Sequence, residues 1–127
     1  MSHFTYFILW SDFVMIIGVD AYYLFAKNID GLGNYLLRLL KELSRIDRDN
    51  EYYLYAPGVT HTDYAKAIFS NPRFKLREIP GMFNDKRRLW LQSPSLRKRI
   101  ISDGIDFFFA GAEYFPLFLP RNITVAT

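Results

Sequence analysis

The sequence predicts a doubly wound α/β domain, a Rossmann-like parallel sheet with helices on both faces. Three observations predict it. Short apolar or aromatic runs alternate with longer stretches of helical periodicity, the arrangement of successive βαβ units with crossover connections. The runs 14-VMIIGVD-20 and 106-DFFFA-110 are apolar almost throughout, as strands covered on both sides are. Half of the 127 residues are hydrophobic and 18% are aromatic, enough to fill one compact core.

The elements follow in order. The first strand ends in Asp20, and 21-AYYLFAKNID-30 reads as an aromatic loop. A helix comes next, within 28-NIDGLGNYLLRLLKELSRID-47. Leu32, Tyr35, Leu36, Leu39, Leu40, Leu43 and Ile46 share one side and are expected to be buried. Arg38, Lys41, Glu42 and Arg45 take the other side, Asp30 suits the N-cap, and Arg45 and Arg48 suit the negative end. The aromatic run 51-EYYLYA-56 is a second strand, ended by Pro57-Gly58. A short helix is expected over about 61–69, before Asn71-Pro72. The segment 74-FKLREI-79 alternates as a half-buried strand does, and Pro80-Gly81 turns the chain. A helical region over about 84–102 is split at Pro94, because proline removes a donor and clashes with the preceding turn. Residues 106–110 form the fourth strand, 111-GAEYFPLFLPRN-122 a loop, and the ITVAT ending the last strand. Functional loops of open α/β sheets follow the C-terminal ends of strands. A chain ending there reads as stopping short of its next such loop.

The domain is expected over 15–127, with 1–14 a leader or an extra strand. The apolar stretch 4-FTYFILWSDFVMIIGV-19 is interrupted by Asp12, and its pieces fall short of the ~20 residues of a spanning helix. No basic segment precedes it and no small-residue cleavage site is clear. An extra strand, a disordered leader and a start at Met15 remain as readings.

Net charge is +3, too small to argue for nucleic acid. The absence of cysteine excludes disulfides and thiolate metal sites and fits a reducing, cytoplasmic compartment. His3 and His61 lack metal-ligand spacing. No Ser-His-Asp set and no paired carboxylates stand out. The sequence thus assigns no catalytic residue, no metal and no cofactor.

Three stretches could bind a ligand. Gly31 and Gly33 stand at the start of the leucine-rich helix, where backbone N–H groups and the helix dipole favour an anion. Leu36 occupies the third glycine position of a dinucleotide fingerprint, and the Gly-Lys-Ser/Thr of a Walker loop is absent. A phosphate-binding loop and a glycine-permitted tight turn both fit. The clusters 86-KRR-88 and 97-RKR-99 flank Trp90 and read as a patch for an anionic membrane surface or nucleic acid, or as a solvated helix face. Glu113 and Tyr114 follow the fourth strand, where a carboxylate and an aromatic could meet a polar ligand or simply pack the loop.

Five segments together resemble the start of a GT-B glycosyltransferase of the large retaining family 4. They are Gly18–Ala21, Gly31–Tyr35, Asp49–Tyr53, the Trp90/Gln92 helix with the Asp106 strand, and the ending 116-PLFLPRNITVAT-127. The likeness covers about 15–127. It implies an enzyme moving a sugar from a nucleotide-sugar donor to a sugar or lipid-linked acceptor, without a metal. This half would shape the acceptor side, and a second domain would hold the nucleotide. On that basis Gly31, Gly33 and Asn34 would face a donor phosphate, and Asp20, Glu113 and Tyr114 would line the acceptor side. Phe109 and Ala110 stand where members often carry a histidine. Lipid-linked acceptors would bring the basic helices to an anionic membrane surface. The competing reading is a standalone binding module, paired as a homodimer or with a partner through Tyr22, Tyr23, Phe25, Phe115 and Phe118.

Overall fold

The computed structural model describes residues 14–24, 31–58, 63–80, 86–110 and 116–126, with Tyr64 described by its backbone alone. The strands are β1 (Ile16–Asp20), β2 (Glu51–Ala56), β3 (Phe74–Glu78), β4 (Phe107–Phe109) and β5 (Thr124–Ala126). They form one sheet in the order β3-β2-β1-β4-β5, and every pairing is parallel. The helices are α1 (Gly31–Ile46), α2 (Arg87–Leu91) and α3 (Pro94–Ser102). The predicted fold class is the observed one.

Strand alternation sorts the core into two layers. Ile17, Val19, Tyr52, Leu54, Phe74, Phe107 and Phe109 turn to one face, where Leu36, Leu37, Leu40 and Leu43 of α1 cover them. Tyr53, Tyr55 and Phe108 turn to the other, under Trp90 and Leu91 of α2 and Leu96 and Ile100 of α3. Moving from β1 to β2, the chain crosses the first face. Moving in the opposite direction, from β3 over to β4, it crosses the second. Reversing both direction and face preserves the hand, so the two crossovers agree, as parallel sheets require. Gly18 sits where β1 meets β4, and a Cβ there would lie 2.9 Å from Cδ2 of Phe108.

Two expectations are corrected. The short helix over 61–69 is two 3-10 turns, Asp63–Ala65 and Ile68–Ser70, which bury Ala65 and Ile68. The buried side of α1 is turned from the predicted one. It comprises Gly33, Leu36, Leu37, Leu40, Leu43 and Ser44, while Leu32 and Tyr35 are each 46% exposed. Leucines surround much of this helix, so periodicity alone fits more than one stripe. The choice falls on the one that includes the small residues Gly33 and Ser44. Gly31 and Gly33 lie within the first turn of α1, and the residues leading into it, 25–30, lie outside the described ones. Pro94 does divide the later helical region, as the first residue of α3, with the Ser93 side chain accepting from the Leu96 N–H.

The N-terminal edge of the sheet is held by a polar knot. Asp47 accepts from the Tyr52 hydroxyl at 2.5 Å and from the Asn50 amide side chain at 2.9 Å. Asn50 in turn accepts from the Met15 N–H at 2.7 Å. Asn71 donates to the carbonyls of Ser44 at 3.1 Å and Asp47 at 2.9 Å, satisfying acceptors that the end of α1 leaves open. The 49-DNEYY-53 segment is therefore a folding device, remote from the C-terminal ends of the strands.

Candidate functional site

Sheet order reverses direction between β1 and β4. In open α/β sheets that switch point, at the strands' C-terminal ends, is where ligands bind. Asp20 ends β1 there, and Phe109 ends β4, followed by Ala110. A cleft of about 20 Å³ opens between them, lined by Asp20, Tyr23, Leu32, Tyr35, Leu36, Phe109 and Ala110. Its volume suits roughly one water molecule, so a larger ligand would lie across its mouth. The first turn of α1 forms one wall, which explains why Leu32 and Tyr35 are left outside the core.

Asp20 forms part of the floor, and its side chain is committed inward. Its Oδ2 accepts from Nε of Arg87 at 2.8 Å and from Nη2 of the same guanidinium. Its Oδ1 accepts from the Tyr22 N–H at 3.1 Å. Arg87 also donates from Nη2 to the Ala110 carbonyl at 3.2 Å, so one guanidinium ties the ends of β1 and β4 to α2. Burial pushes the Asp20 carboxyl up to about 6. The Arg87 charge, the Tyr22 N–H and the Arg87 hydrogen bonds pull it down, without cancelling the loss of hydration.

Beyond Arg87 lies a larger cavity of about 590 Å³, lined by Tyr23, Lys86, Arg87, Arg88 and Leu89. The Tyr23 ring is shared by the two clefts and stands 5.5 Å from the Arg87 guanidinium carbon. Trp90, directly after this wall, donates from its indole to the Ile79 carbonyl at 2.8 Å and fixes α2 against the end of β3.

The sequence candidates fall unevenly on this geometry. Gly31 and Asn34 are exposed on the first turn of α1, and Gly33 is buried beneath them. Among the described residues a Cβ on Gly31 would meet nothing within 4 Å, so their packing does not demand glycine there. Glu113, Tyr114, Phe25 and Phe115 lie outside the described residues, as does the leader over 1–13. Sequence reasoning missed Arg87, Tyr35 and the placing of Tyr23. A carboxylate ending a buried strand signals a nearby cation, since buried charges are paired. Within 86-KRR-88 no pattern says which residue turns inward.

Among the described residues no group of three or more His, Asp or Glu could hold a metal ion. Among them, too, no helix is long and apolar enough to cross a membrane. Comparison with protein families, curated proteins and solved structures finds no match to this chain.

Proposed function

We propose that the chain is the N-terminal, acceptor-side domain of a GT-B glycosyltransferase, moving a sugar from a nucleotide-sugar donor to an acceptor. The observation that carries the reading is the switch-point cleft, where the ends of β1 and β4 meet the first turn of α1. Gly31 and Asn34 then present the positive end of a 16-residue helix toward a donor phosphate. Tyr23 and Tyr35 offer ring faces and hydroxyl tips to a sugar ring at the cleft mouth. Asp20 shapes the floor through Arg87. In this reading a second α/β domain holds the nucleotide. The protein works in the cytoplasm, at the inner face of the membrane where its acceptor is lipid-linked.

Amide-resolved NMR titration of the chain with neutral disaccharides and with nucleotide sugars tests the reading. Weak disaccharide-induced shifts confined to Asp20, Tyr23, Tyr35 and Ala110 are expected. Their absence, or micromolar nucleotide-sugar binding by this chain alone, would overturn it.

One observation favours a second reading, a standalone interaction module. Phe118 is 84% exposed and Leu117 49% exposed, and Phe118 adopts a left-handed backbone with φ 60°. An exposed aromatic held at a costly backbone angle suits a partner contact or a homodimer seam. Size-exclusion chromatography separates the two: a tight dimer that Phe118→Ser dissolves supports the module, and a monomer removes the homodimer.

A further inference from the structure

We infer that the outer surface of the α2–α3 layer docks on an anionic lipid surface. Leu89, Ile101, Leu117 and Phe118 enter the headgroup region, and the basic residues around them meet lipid phosphates. The inference stands on this layer alone, apart from the transferase reading.

Both helices press on the same side of the sheet. Trp90 and Leu91 of α2 and Leu96 and Ile100 of α3 are buried in one cluster, so the opposite sides of the two helices look out together. On α3 that outer side carries Pro94, Arg97, Lys98 and Ile101, spaced i, i+3, i+4 and i+7, and all four are exposed. At the other helix Leu89 and its C-cap Gln92 stand three residues apart, both exposed. The Leu117 N–H donates to the Gln92 side chain at 3.0 Å. That bond lays 117–118 beside α2, while Leu119 packs against the core. Leu89 is 42% exposed, Ile101 46%, Leu117 49% and Phe118 84%. Among the described residues these are four of the seven exposed large apolar side chains, so they form a cluster and not the usual scatter. Phe118 is also held outward at φ 60°, a costly angle for a bulky residue.

The charge beside them follows from the whole sequence. Residues 79–102 and 116–122 hold seven cations and one carboxylate, Asp85. The fold brings Asp20 to Arg87 and Asp103 to Arg99, and Glu78 shares a cavity wall with Lys98 and Arg99. With Glu113 of the adjoining loop counted too, five carboxylates stand against seven cations, and the excess is still positive. A nucleic acid would use these cations but would leave Leu89, Ile101 and Leu117 in water, since it is gripped by charge and aromatic stacking. A bilayer interface takes both classes: cations at the phosphates, apolar side chains just beneath them.

The test is co-sedimentation of the full chain with vesicles of phosphatidylcholine alone and of phosphatidylcholine mixed with phosphatidylglycerol. Tighter binding to the mixed vesicles is expected, and added salt should weaken it. Phe118→Ser should weaken it about tenfold through lost apolar burial. Arg97→Ala/Lys98→Ala should weaken it by a similar factor. Arg38→Ala/Lys41→Ala, exposed on the helix that covers the opposite sheet face, should change it less than about twofold. Far-UV circular dichroism checks that each variant folds, and the salt dependence needs no variant. Equal binding to both vesicles, binding to neither, or equal weakening by the two basic double variants would overturn the inference. So would binding to a DNA duplex that falls in Arg97→Ala/Lys98→Ala but not in Phe118→Ser, or a vesicle-free dimer that Phe118→Ser dissolves. The vesicles carry no sugar, so their failure leaves the transferase reading standing, and the neutral disaccharide titration tests that reading by itself.

Discussion

Arg87 reaches Asp20 across 67 residues of chain and donates to its Oδ2 from Nε at 2.8 Å. Both side chains are almost fully buried, with relative exposures of 5% and 2%. The pair welds α2 to the switch point of the sheet, so the two clefts share one support.

Breaking that pair from one side leaves a buried charge without its partner. Arg87→Met is expected to destabilise the fold by about 3–5 kcal/mol. Asp20→Asn should cost less than Arg87→Met, because an amide oxygen still accepts from the guanidinium. The double variant Asp20→Asn/Arg87→Met should recover part of the loss, since neither charge is then stranded. Urea denaturation followed by circular dichroism measures all three. Additive losses would show that the pair acts as two independent groups.

Gly18→Ala tests the packing of β1 against β4. The added methyl would stand 2.9 Å from Phe108 and 3.2 Å from both Ile105 and Tyr55. Overpacking of this kind costs about 1–3 kcal/mol. Phe108→Leu in the same chain should return part of that loss by yielding room at the closest contact. A lower urea midpoint for Gly18→Ala alone, partly restored in the double variant, is the expected result.

The fold was legible in the sequence because strand and helix periods differ and because both sheet faces are covered. Continuous apolar runs marked β1 and β4, and Pro94 marked the break before α3. What periodicity could not settle was the rotation of α1. Leucine on several sides allows neighbouring stripes, and contact with the sheet chose the one carrying Gly33 and Ser44. The site was legible only in outline. The order of strand and helix puts Asp20 and the first turn of α1 side by side at the C-terminal edge of the sheet. Arg87 was hidden in a basic run, and its role depends on a partner 67 residues away.

Asn71 should be among the least replaceable polar residues. It is 1% exposed, and its side-chain amide donates to the carbonyls of both Ser44 and Asp47. Asn71→Leu leaves two buried acceptors without donors, at about 1–3 kcal/mol each. Hydrogen exchange should show faster opening of the last turn of α1 than of its first turn. Unchanged exchange there would show that the carbonyls find other donors.

Two phenols make the fold sensitive to alkali. Burial raises the ionisation of Tyr52 and Tyr55 well above the usual phenol range, aided by hydrogen bonds to Asp47 and Asp103. In the unfolded chain both hydroxyls ionise near pH 10, while the folded chain keeps them protonated. Above that pH the folded state binds more protons, so stability falls as pH rises. Absorbance at 295 nm should show these two rings titrating only as circular dichroism reports unfolding. Tyr52→Phe/Tyr55→Phe should flatten the alkaline slope of stability, even though it lowers stability at neutral pH.

Asp20 sets an opposite-edge pH dependence whose sign follows from its carboxyl being raised from 3.8 to about 6. Between those values the folded chain holds a proton that the unfolded chain has released. The contribution of this group to stability is therefore fullest below 3.8 and declines as pH rises through about 6. Asp20→Asn should remove that decline. Arg87→Met should extend it upward, because the guanidinium that favours the carboxylate is gone. Carbon-detected NMR of the Asp20 carboxyl follows the midpoint directly. A midpoint near 6 that moves up in Arg87→Met fits the buried pair, and an ordinary midpoint near 4 would show that water reaches Asp20.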